Sequence, residues 1–396
     1  MNIKLGVIFG GETVEHEVSI ISAVQAMASI NKDKYDIVPI YITKDKKMYT
    51  GRMLMDIENY QDMSVIKRYA KEVTLYKKGD RFVLQSVKGF RRIIDEIDIA
   101  FPIVHGAGAE DGTLQGYLAN IGIPFVGSDI YASVVGQDKV YQKDIFKANG
   151  IDVPEYMWFY DTDYMKEKEE IIKKVEKMGY PVIIKPAKQG SSVGITVAET
   201  REKLVSGIEE AIKYDSKILI EEVVKNLREF NISVLGNSDS QKLSQIEEVS
   251  TKNTFLTYQD KYISGRKGKT GKLKGMAVAG RQIPANMDEK LKKTVEETAL
   301  KVFRVLGLQG LCRLDFLVDS KKNKVYINEP NTIPGSLSFY LWEGLGVSYT
   351  ELLDEMIQLA IKNYKNSEKK TYSFESNILS NFSGLKGCKG LKTKLK

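Results

Sequence analysis

The chain has 396 residues, a formal net charge of +7, 42% hydrophobic residues and 28% charged residues. This length allows two to four domains, and the composition is that of an ordinary globular protein. No apolar run reaches the roughly 18–20 residues that a membrane span requires, and the amino terminus lacks the layout of a signal peptide. We therefore expect no membrane partner.

The excess positive charge is concentrated in two stretches. Residues 362–396 contain nine lysines and two glutamates, and residues 252–281 contain eight basic residues and one acidic residue. In neither stretch do aromatic residues alternate with the basic ones, as they do in proteins that bind single-stranded nucleic acid. We therefore expect no nucleic-acid partner.

Cysteines and histidines are too few to build several kinds of site. Cys312 lies in a predicted strand and Cys388 near the end of the chain, so the sequence predicts neither a disulfide framework nor a zinc site. This cysteine usage is typical of a reducing cytoplasm. The two histidines are His16 and His105. His16 is expected to face solvent or a neighbouring side chain.

Residues 1–130 are predicted to form an open α/β unit. Residues 4–9 form an apolar strand, Gly10-Gly11 interrupts it, and a helical pattern covers residues 15–30. This order of strand, glycine turn and helix is typical of a βαβ unit whose helix start binds anions. The third glycine of a dinucleotide-binding fingerprint is absent, so we predict no NAD site. Residues 43–96 are less regular and are interpreted as an elaboration of this unit.

A polar, glycine-rich segment at residues 105–112 follows the next predicted strand, residues 97–104. In open α/β sheets, ligands bind at the carboxyl ends of the strands. His105 is therefore a candidate ligand-binding residue. Asp111 also suits the start of the helix predicted at residues 113–121, so helix capping explains part of the acidity of this segment.

Residues 131–225 are predicted to form a smaller mixed unit. A helix begins at Lys139, and an apolar strand ends at Lys185. The loop that follows, residues 188–194, is rich in glycine and serine, whose small size lets backbone N–H groups approach phosphates closely. It is not a P-loop, because the lysine precedes the glycines. A strand, this loop and a second strand predict an antiparallel sheet that folds over a nucleotide.

Residues 226–365 are predicted to form a larger α+β unit. An edge-like strand that carries two acidic residues, residues 217–224, precedes it. The basic stretch at residues 252–281 is longer than an ordinary loop in a compact domain, and such loops are usually functional or disordered. Further elements are predicted at residues 228–235 (a strand), 290–306 and 349–364 (helices) and 366–396 (a loose, basic tail).

Two consecutive strand patterns between residues 310 and 331 carry the most specific chemistry. Residues two apart in a strand point to the same face. Arg313 and Asp315 therefore share a face of the first strand, as Glu329 and Asn331 do on the second. Paired as a hairpin, the strands would present carboxylate and amide oxygens to one point, and such ligands suit a hard cation such as Mg²⁺. The alternative is an ordinary hairpin whose charges face solvent.

The order of these features resembles an ATP-grasp carboxylate–amine ligase and, within that superfamily, the D-alanine–D-alanine ligase family. Each motif alone is weak, but their joint order is highly specific and covers most of the chain. The motifs are Gly10-Gly11, Glu15-His16-Glu17-Val18-Ser19, His105-Gly106, Glu110-Asp111-Gly112-Thr113, Lys185-Pro186, Gly190-Ser191-Ser192-Val193-Gly194, Asp260-Lys261-Tyr262, Arg313-x-Asp315 and Glu329-x-Asn331-Thr332-Ile333-Pro334-Gly335.

The resemblance implies an ATP-grasp fold of α/β and α+β type. An amino-terminal open α/β (preATP-grasp) domain at residues 1–130 would be followed by two mixed subdomains that clamp ATP, residues 131–225 and 226–365. Residues 252–281 would be the lid, and residues 366–396 a flexible tail. The resemblance further implies a cytoplasmic homodimer that uses D-alanine, ATP and two Mg²⁺ or Mn²⁺ ions to make a peptidoglycan precursor.

The resemblance also implies roles for individual residues. The positions that would contact ATP are Lys139, Lys185, Ser191, Ser192, Glu221, Glu222, Val224, Glu229 and Lys261. The metal ligands would be Asp315, Glu329 and Asn331. The catalytic group would comprise Glu15, Ser191 and Tyr262 around the first D-alanine, with Arg313 and the Gly335 N–H at the oxyanion. The other substrate-binding positions would be His105, Ser338, Tyr340 and Leu341.

The second amino acid is the least determined part of this prediction. Where this chain has Tyr340, the family usually has a small hydroxyl residue, so the second subsite departs from the pattern. The Lys261-Tyr262 pair favours an amino-acid acceptor over D-lactate. D-alanine is expected, and D-serine or another amino acid is the alternative. A regulatory nucleotide-binding protein is disfavoured because the metal ligands and Arg313 are all present.

Overall fold

The computed structural model describes residues 2–249 and 280–376. The described residues form three β-sheets with helices packed against them. The mixed α/β and α+β character predicted from the sequence is therefore confirmed. The predicted lid residues Lys261 and Tyr262 lie outside the described residues, as does the tail from residue 377 onward.

The first sheet comprises seven strands: β1 Ile3–Gly10, β2 Tyr35–Ile42, β3 Met48–Thr50, β4 Lys71–Lys78, β5 Arg81–Ser86, β6 Ile93–Ile97 and β7 Ile99–Val104. Their order is β6-β5-β4-β3-β2-β1-β7, and β1 is parallel to both β2 and β7. The segment interpreted as an irregular elaboration thus supplies four strands of this sheet. Strands β3 to β6 bury only one or two side chains each, which is why their alternation was weak.

The second sheet comprises four strands: β8 Tyr156–Tyr160, β9 Val182–Pro186, β10 Thr196–Ala198 and β11 Lys217–Glu222. Their order is β10-β9-β11-β8, and every pair is antiparallel. This arrangement confirms the antiparallel sheet predicted around the serine loop, which joins β9 to β10. The prediction that β11 is edge-like was wrong: β11 lies between two strands, and its residues are buried as far as Glu221.

The third sheet comprises six strands: β12 Leu227–Gly236, β13 Gln241–Leu243, β14 Glu247–Val249, β15 Arg281–Gln282, β16 Gly310–Asp319 and β17 Lys324–Asn331. The order is β15-β14-β12-β16-β17, and β13 also pairs with β12. Strands β16 and β17 are antiparallel neighbours joined by a short turn, so the predicted hairpin is confirmed.

Helices cover the sheets, and none in the described part of the chain is long and apolar enough to cross a membrane. Several begin at the caps that the sequence offers, such as Asp138, whose carboxylate accepts hydrogen bonds from the N–H groups of Val140 and Tyr141. The helices are α1 His16–Ser29, α2 Met63–Tyr69, α3 Thr113–Ile121, α4 Ile130–Gln137, α5 Lys139–Ala148, α6 Asp161–Met178, α7 Arg201–Ala211, α8 Glu289–Val305, α9 Tyr340–Glu343 and α10 Tyr349–Ser367.

Each sheet has its own apolar core, but the first core extends into the last part of the chain. Leu352 and Ile357 of α10 are buried in this core together with β1 and β2. Ile333, Leu337 and Leu341, which follow β17, belong to the same core. The residues after the predicted metal strand are thereby held against the amino-terminal sheet, and the end of β17 is brought close to the start of α1.

Candidate active site

A cleft of about 250 Å³ has walls contributed by all three sheets. It brings together residues that are more than 300 positions apart in the sequence, which places most of the predicted site in one cavity. The predicted residues in its wall are Glu15, His105, Lys139, Lys185, Ser191, Ser192, Glu229, Arg313, Asp315, Glu329, Asn331 and Gly335. Among the described residues, the predicted positions that do not line it are Glu221, Glu222, Val224, Ser338, Tyr340 and Leu341.

The hairpin places its polar residues in register. Asp315 pairs with Glu329, and Arg313 pairs with Asn331. The guanidinium of Arg313 donates two hydrogen bonds to Asp315, at 2.7 Å and 2.8 Å, and the Asn331 amide donates a third at 3.1 Å. Burial would lower the pKa of Arg313, but the Asp315 carboxylate outweighs it and raises that pKa well above its ordinary value. Arg313 is therefore a fixed cation beside the carboxylates.

The side-chain oxygens of the hairpin suit a hard cation. Asp315 and Glu329 supply carboxylate oxygens and Asn331 an amide oxygen, the ligand types that Mg²⁺ prefers. The described residues contain no cluster of three or more His, Cys, Asp or Glu side chains arranged to hold a metal. This finding is compatible with the hairpin, because one of its three ligands is an asparagine and bound phosphate would supply further oxygens.

Two lysines from different elements line the cleft. Lys139, at the start of α5, lies 3.2 Å from Glu329 and donates a hydrogen bond of 2.8 Å to the Gln189 carbonyl. Lys185, near the end of β9, lies 2.5 Å from Glu221 and 3.3 Å from the Asn328 side-chain oxygen. Both side chains are almost fully buried, so each ammonium depends on these carboxylate and amide partners.

Glu15 and residues of the serine loop also line the cleft. The Ser191 hydroxyl donates a hydrogen bond to Glu15, which links α1 of the first sheet to the loop of the second. Ser191 and Ser192 both have left-handed backbone conformations, with φ of 51° and 61°. A Cβ atom at Gly190 would lie 2.5 Å from the Glu15 carboxylate, so a larger residue there would require the Glu15 side chain to shift.

Comparison with known proteins identifies the family. The family model for the amino-terminal part of D-ala D-ala ligase matches residues 4–128, and the model for its carboxyl-terminal part matches residues 145–358. A D-alanine--D-alanine ligase of Thermosipho melanesiensis is 36% identical over 380 residues, which cover 95% of this chain and 98% of that protein. The chain belongs to the D-alanine–D-alanine ligase family. The resemblance predicted from the sequence motifs is confirmed, and the chain is a ligase.

Solved structures place the family's fold on this chain. The D-alanine-D-alanine ligase of Coxiella burnetii has a TM-score of 0.77, 27% sequence identity, and coverage of 93% of this chain and 96% of its own. The VanG D-Ala:D-Ser ligase of Enterococcus faecalis has a TM-score of 0.75 and 30% identity, with coverage of 91% and 100%. The ATP-grasp fold predicted from the motifs is therefore confirmed.

In this member of the ligase family, the predicted ATP contacts Glu221, Glu222 and Val224 lie outside the wall of the cleft. The Glu221 carboxylate is fully buried and forms ion pairs with Lys143 and Lys185 instead of facing the cleft. Burial would raise the pKa of Glu221, but the two lysines outweigh it and lower the pKa to about 2. Glu222 and Val224 line a separate small cavity of about 50 Å³.

His105 is buried in the wall of the cleft, and Glu110 is partly buried there. His105 lies 3.1 Å from the Ser22 hydroxyl, and burial lowers its pKa, so the imidazole is neutral at pH 7. Glu110 accepts hydrogen bonds from the Thr332 hydroxyl and the Ile333 N–H, at 2.9 Å and 2.8 Å. Glu110 thus connects the glycine-rich loop after β7 to the residues that follow the β16–β17 hairpin. The sequence attributed the acidity of this loop partly to helix capping and did not indicate this contact.

His16 does not face solvent. It is 4% exposed, with Nδ1 at 2.6 Å from the Gly11 carbonyl and Nε2 at 2.9 Å from the Tyr41 hydroxyl. Of the two predicted environments, the neighbouring side chain is therefore correct. The ring fixes the turn that precedes Glu15, and so helps to position that carboxylate.

The stretch predicted to select the second amino acid is more buried than expected. Ser338 and Leu341 are fully buried and lie outside the wall of the cleft. Residues 336–338 all have left-handed backbones, with φ between 46° and 51°, which turns the chain away from the cleft after Gly335. Packing of Leu337 and Leu341 into the first core explains this turn. Of the three predicted positions Ser338, Tyr340 and Leu341, only Tyr340 is partly exposed.

Tyr340 belongs to a charged cluster that the sequence did not reveal. Its hydroxyl donates a 3.3 Å hydrogen bond to Glu247, and its ring lies 4.9 Å from the Arg281 guanidinium. Glu247 is fully buried, 3.0 Å from Arg281 and 3.1 Å from the Asn231 amide nitrogen. Since Arg281 and Asn231 also line the cleft, this cluster adjoins the wall on the side of β14 and β15.

Proposed function

We propose that the chain joins two D-alanines into D-alanyl-D-alanine, with conversion of ATP to ADP and phosphate, for the synthesis of peptidoglycan precursors. The observation that carries the proposal is the composition of one cleft. Its wall contains Glu15 and Ser191, a pair that suits the ammonium of an amino acid, together with lysines and oxygen ligands that suit a triphosphate and its metal ions. Family membership and the 36% identity with a D-alanine--D-alanine ligase over nearly the whole chain support the same substrate.

ATP would bind between the second and third sheets. Lys139 and Lys185 would contact its phosphates, the backbone N–H groups of the serine loop would close over them, and Glu229 would contact the ribose. Asp315, Glu329 and Asn331 would hold two Mg²⁺ or Mn²⁺ ions. When bound, these ions neutralise charge on the phosphates of ATP. Lys261, which lies outside the described residues, is proposed as a further ATP contact.

The first step would activate one D-alanine. Glu15 accepts hydrogen bonds from the ammonium of this D-alanine, and Ser191 fixes the Glu15 carboxylate. Tyr262 of the proposed lid completes this group. His105 lies near the carboxylate of the D-alanine. A carboxylate oxygen of this D-alanine attacks the γ-phosphorus, and the bond from that phosphorus to the β–γ bridging oxygen breaks. ADP leaves, and D-alanyl phosphate forms. The residues contribute mainly by position and charge, as in other phosphoryl transfers.

The second step would form the peptide bond. The neutral amine of the second D-alanine attacks the carbonyl carbon of D-alanyl phosphate and gives a tetrahedral intermediate with an oxyanion. Arg313 and the Gly335 N–H, both in the wall of the cleft, are placed to stabilise that oxyanion. The intermediate collapses with release of phosphate, and the amine loses a proton. Water must be excluded at this stage because it would hydrolyse the acyl phosphate.

The acceptor proposed is D-alanine. The 36% identical relative is a D-alanine--D-alanine ligase, whereas the D-Ala:D-Ser ligase structure is 30% identical, so D-serine is not favoured. Tyr340 and Arg281 are proposed to border the second subsite in place of the family's small hydroxyl residue. By family, we further propose a cytoplasmic homodimer whose domains are residues 1–130, 131–225 and 226–365, with a lid at residues 252–281 and a tail at residues 366–396.

The proposal is tested by incubating the protein with ATP, Mg²⁺ and one amino acid at a time, and measuring phosphate release. D-alanine alone should give phosphate and D-alanyl-D-alanine in equal amounts, and L-alanine should give neither. D-serine alone should give less phosphate than D-alanine. If D-alanine gives no phosphate while another amino acid does, the proposed substrate is wrong.

A further inference from the structure

Lys143 is a buried cation with no assigned role. It lies one helical turn after Lys139 on α5, and its side chain is 1% exposed. Lysine is almost never fully buried without a partner, because a desolvated ammonium is costly. Burial lowers the pKa of Lys143, and Glu221 opposes that effect. The partner that retains this cation in the interior is therefore the Glu221 carboxylate.

Glu221 joins Lys143 to a lysine of the cleft. One carboxylate oxygen forms an ion pair with Lys143, and the other lies 2.5 Å from Lys185. The Lys143 and Glu221 side chains are each 1% exposed and the Lys185 side chain is 8% exposed, so solvent screens this triad little. Of the two lysines, Lys185 lines the cleft, whereas Lys143 lies behind it. The triad thus has one cation that can reach a ligand and one that cannot.

A second buried ion pair connects the same two elements without reaching the cleft. Lys217, four residues before Glu221 on β11, lies 2.9 Å from Asp138, the residue that caps α5. The two side chains are 3% and 5% exposed. Helix α5 is therefore attached to β11 by two ion pairs of similar burial, Asp138–Lys217 and Lys143–Glu221. Only the second pair shares its carboxylate with a lysine of the cleft.

The net charge of the triad Lys143, Glu221 and Lys185 indicates the role of Lys143. With Lys143 and Lys185 both paired to Glu221, the triad carries a net charge of +1. If Lys143 were neutral or absent, Glu221 and Lys185 would cancel, and Lys185 would have to leave a buried carboxylate unpaired in order to contact phosphates. A buried unpaired carboxylate next to a triphosphate is unfavourable through both desolvation and repulsion. Lys143 avoids this cost, because Glu221 stays paired with Lys143 when Lys185 contacts the phosphates.

We propose that Lys143 is a positioning residue for ATP, which neutralises Glu221 so that Lys185 is available to the phosphates. The inference rests on the proposed function in one respect, namely that ATP is the nucleotide bound in this cleft. It changes the role given to the Glu221 side chain, which becomes the carboxylate that orients Lys185. It also explains the second lysine in the run Asp138-Lys139-Val140-Tyr141-Gln142-Lys143.

The test compares four full-length proteins: wild type, Lys143→Met, the double variant Lys143→Met/Glu221→Gln, and Lys217→Met as the matched control. The dissociation constant of Mg·ATP is measured by titration without amino acid, and kcat and the KM for ATP by phosphate release at saturating D-alanine. Lys143→Met should weaken ATP binding at least tenfold and lower kcat less than threefold. The double variant should return to within threefold of the wild-type affinity, because no carboxylate remains to hold Lys185.

Lys217→Met loses an ion pair of the same burial and should bind ATP within threefold of wild type, although its melting temperature falls. An unchanged ATP affinity in Lys143→Met overturns the inference. So does a double variant that binds ATP as weakly as Lys143→Met, since that result indicates a structural role. If Lys143→Met does not fold, the double variant decides: wild-type affinity within threefold supports the inference, and weaker binding overturns it. A wild type that does not bind ATP refutes the proposed function instead.

Discussion

Replacing Glu110 with glutamine should make the stability of the protein less dependent on pH between 5 and 8. Glu110 accepts hydrogen bonds from Thr332, from the Ile333 N–H and, at 3.2 Å, from the Gly106 N–H. Burial, followed by repulsion from Glu15, raises its pKa from 4.5 to about 7. The folded protein therefore retains a proton on Glu110 that the unfolded chain has already lost.

The sign and size of the effect follow from that difference. A carboxyl group whose folded-state pKa is raised contributes stability that is fully present below pH 4.5 and is lost as the pH rises through about 7. At about 1.4 kcal/mol per pKa unit, the full difference is about 3 kcal/mol, of which about 2.5 kcal/mol falls between pH 5 and pH 8. Glutamine is a neutral amide at every pH in this range and cannot show this loss.

The assay is urea unfolding of wild type and Glu110→Gln at pH 5, 6, 7 and 8, without nucleotide or metal. Other groups titrate in both proteins, so their contributions cancel in the difference between the two free energies of unfolding. That difference should shift by about 2 to 3 kcal/mol in favour of the variant between pH 5 and pH 8. A difference that stays constant within about 0.5 kcal/mol over this range would refute the reasoning.

Three further substitutions test the proposed site. Glu329→Gln should abolish phosphate release while the melting temperature stays close to that of wild type, and unchanged activity would remove Glu329 from the metal ligands. Arg313→Met should lower kcat by about 100-fold or more, the usual cost of losing an oxyanion donor, and a loss below tenfold would exclude that role. Ser191→Ala should raise the KM for the first D-alanine by about tenfold, in line with the loss of one hydrogen bond to a carboxylate. An unchanged KM would show that Glu15 does not need this hydroxyl.

The β16–β17 hairpin could be predicted because the residue pattern that specifies it lies within one short stretch of the chain. Arg313, Asp315, Glu329 and Asn331 follow the two-residue period of strands, and the two strands are separated by only a short turn. The connection alone would place Asp315 opposite Asn328, and an irregularity between Asp315 and Phe316 shifts the register by one residue, so that Asp315 pairs with Glu329. The serine loop was predictable for a similar reason, since glycine and serine between two apolar strands allow few other structures.

Long-range pairing was not predictable from these patterns. Lys143 and Glu221 lie 78 positions apart in the sequence, and each alone looks like an ordinary charged residue. The available signal was the spacing of Lys139 and Lys143, which places both on one face of α5. Glu247 and Arg281 lie on either side of residues 250–279, so no local pattern connects them. Their ion pair arises from the pairing of β14 with β15.

Two features of the structure differ from the sequence patterns or go beyond them for physical reasons. The acids of β11 suggested an exposed edge, but Glu221 is buried because two lysines compensate its charge. The left-handed turn at residues 336–338 leads the following residues into the first core, which the sequence did not indicate, and the assignment of Ser338, Tyr340 and Leu341 to the second subsite stays a prediction. In both places the tertiary partners, which the sequence does not display locally, decide where the side chain points.

The central claim is that a carboxylate oxygen of the first D-alanine attacks the γ-phosphate of ATP. The most direct test uses D-alanine labelled with ¹⁸O in its carboxylate and measures the mass of the phosphate released during dipeptide synthesis. The account predicts that each phosphate carries one ¹⁸O atom, because the attacking oxygen leaves with the phosphate when the amine displaces it. Dipeptide formed together with unlabelled phosphate would contradict the account.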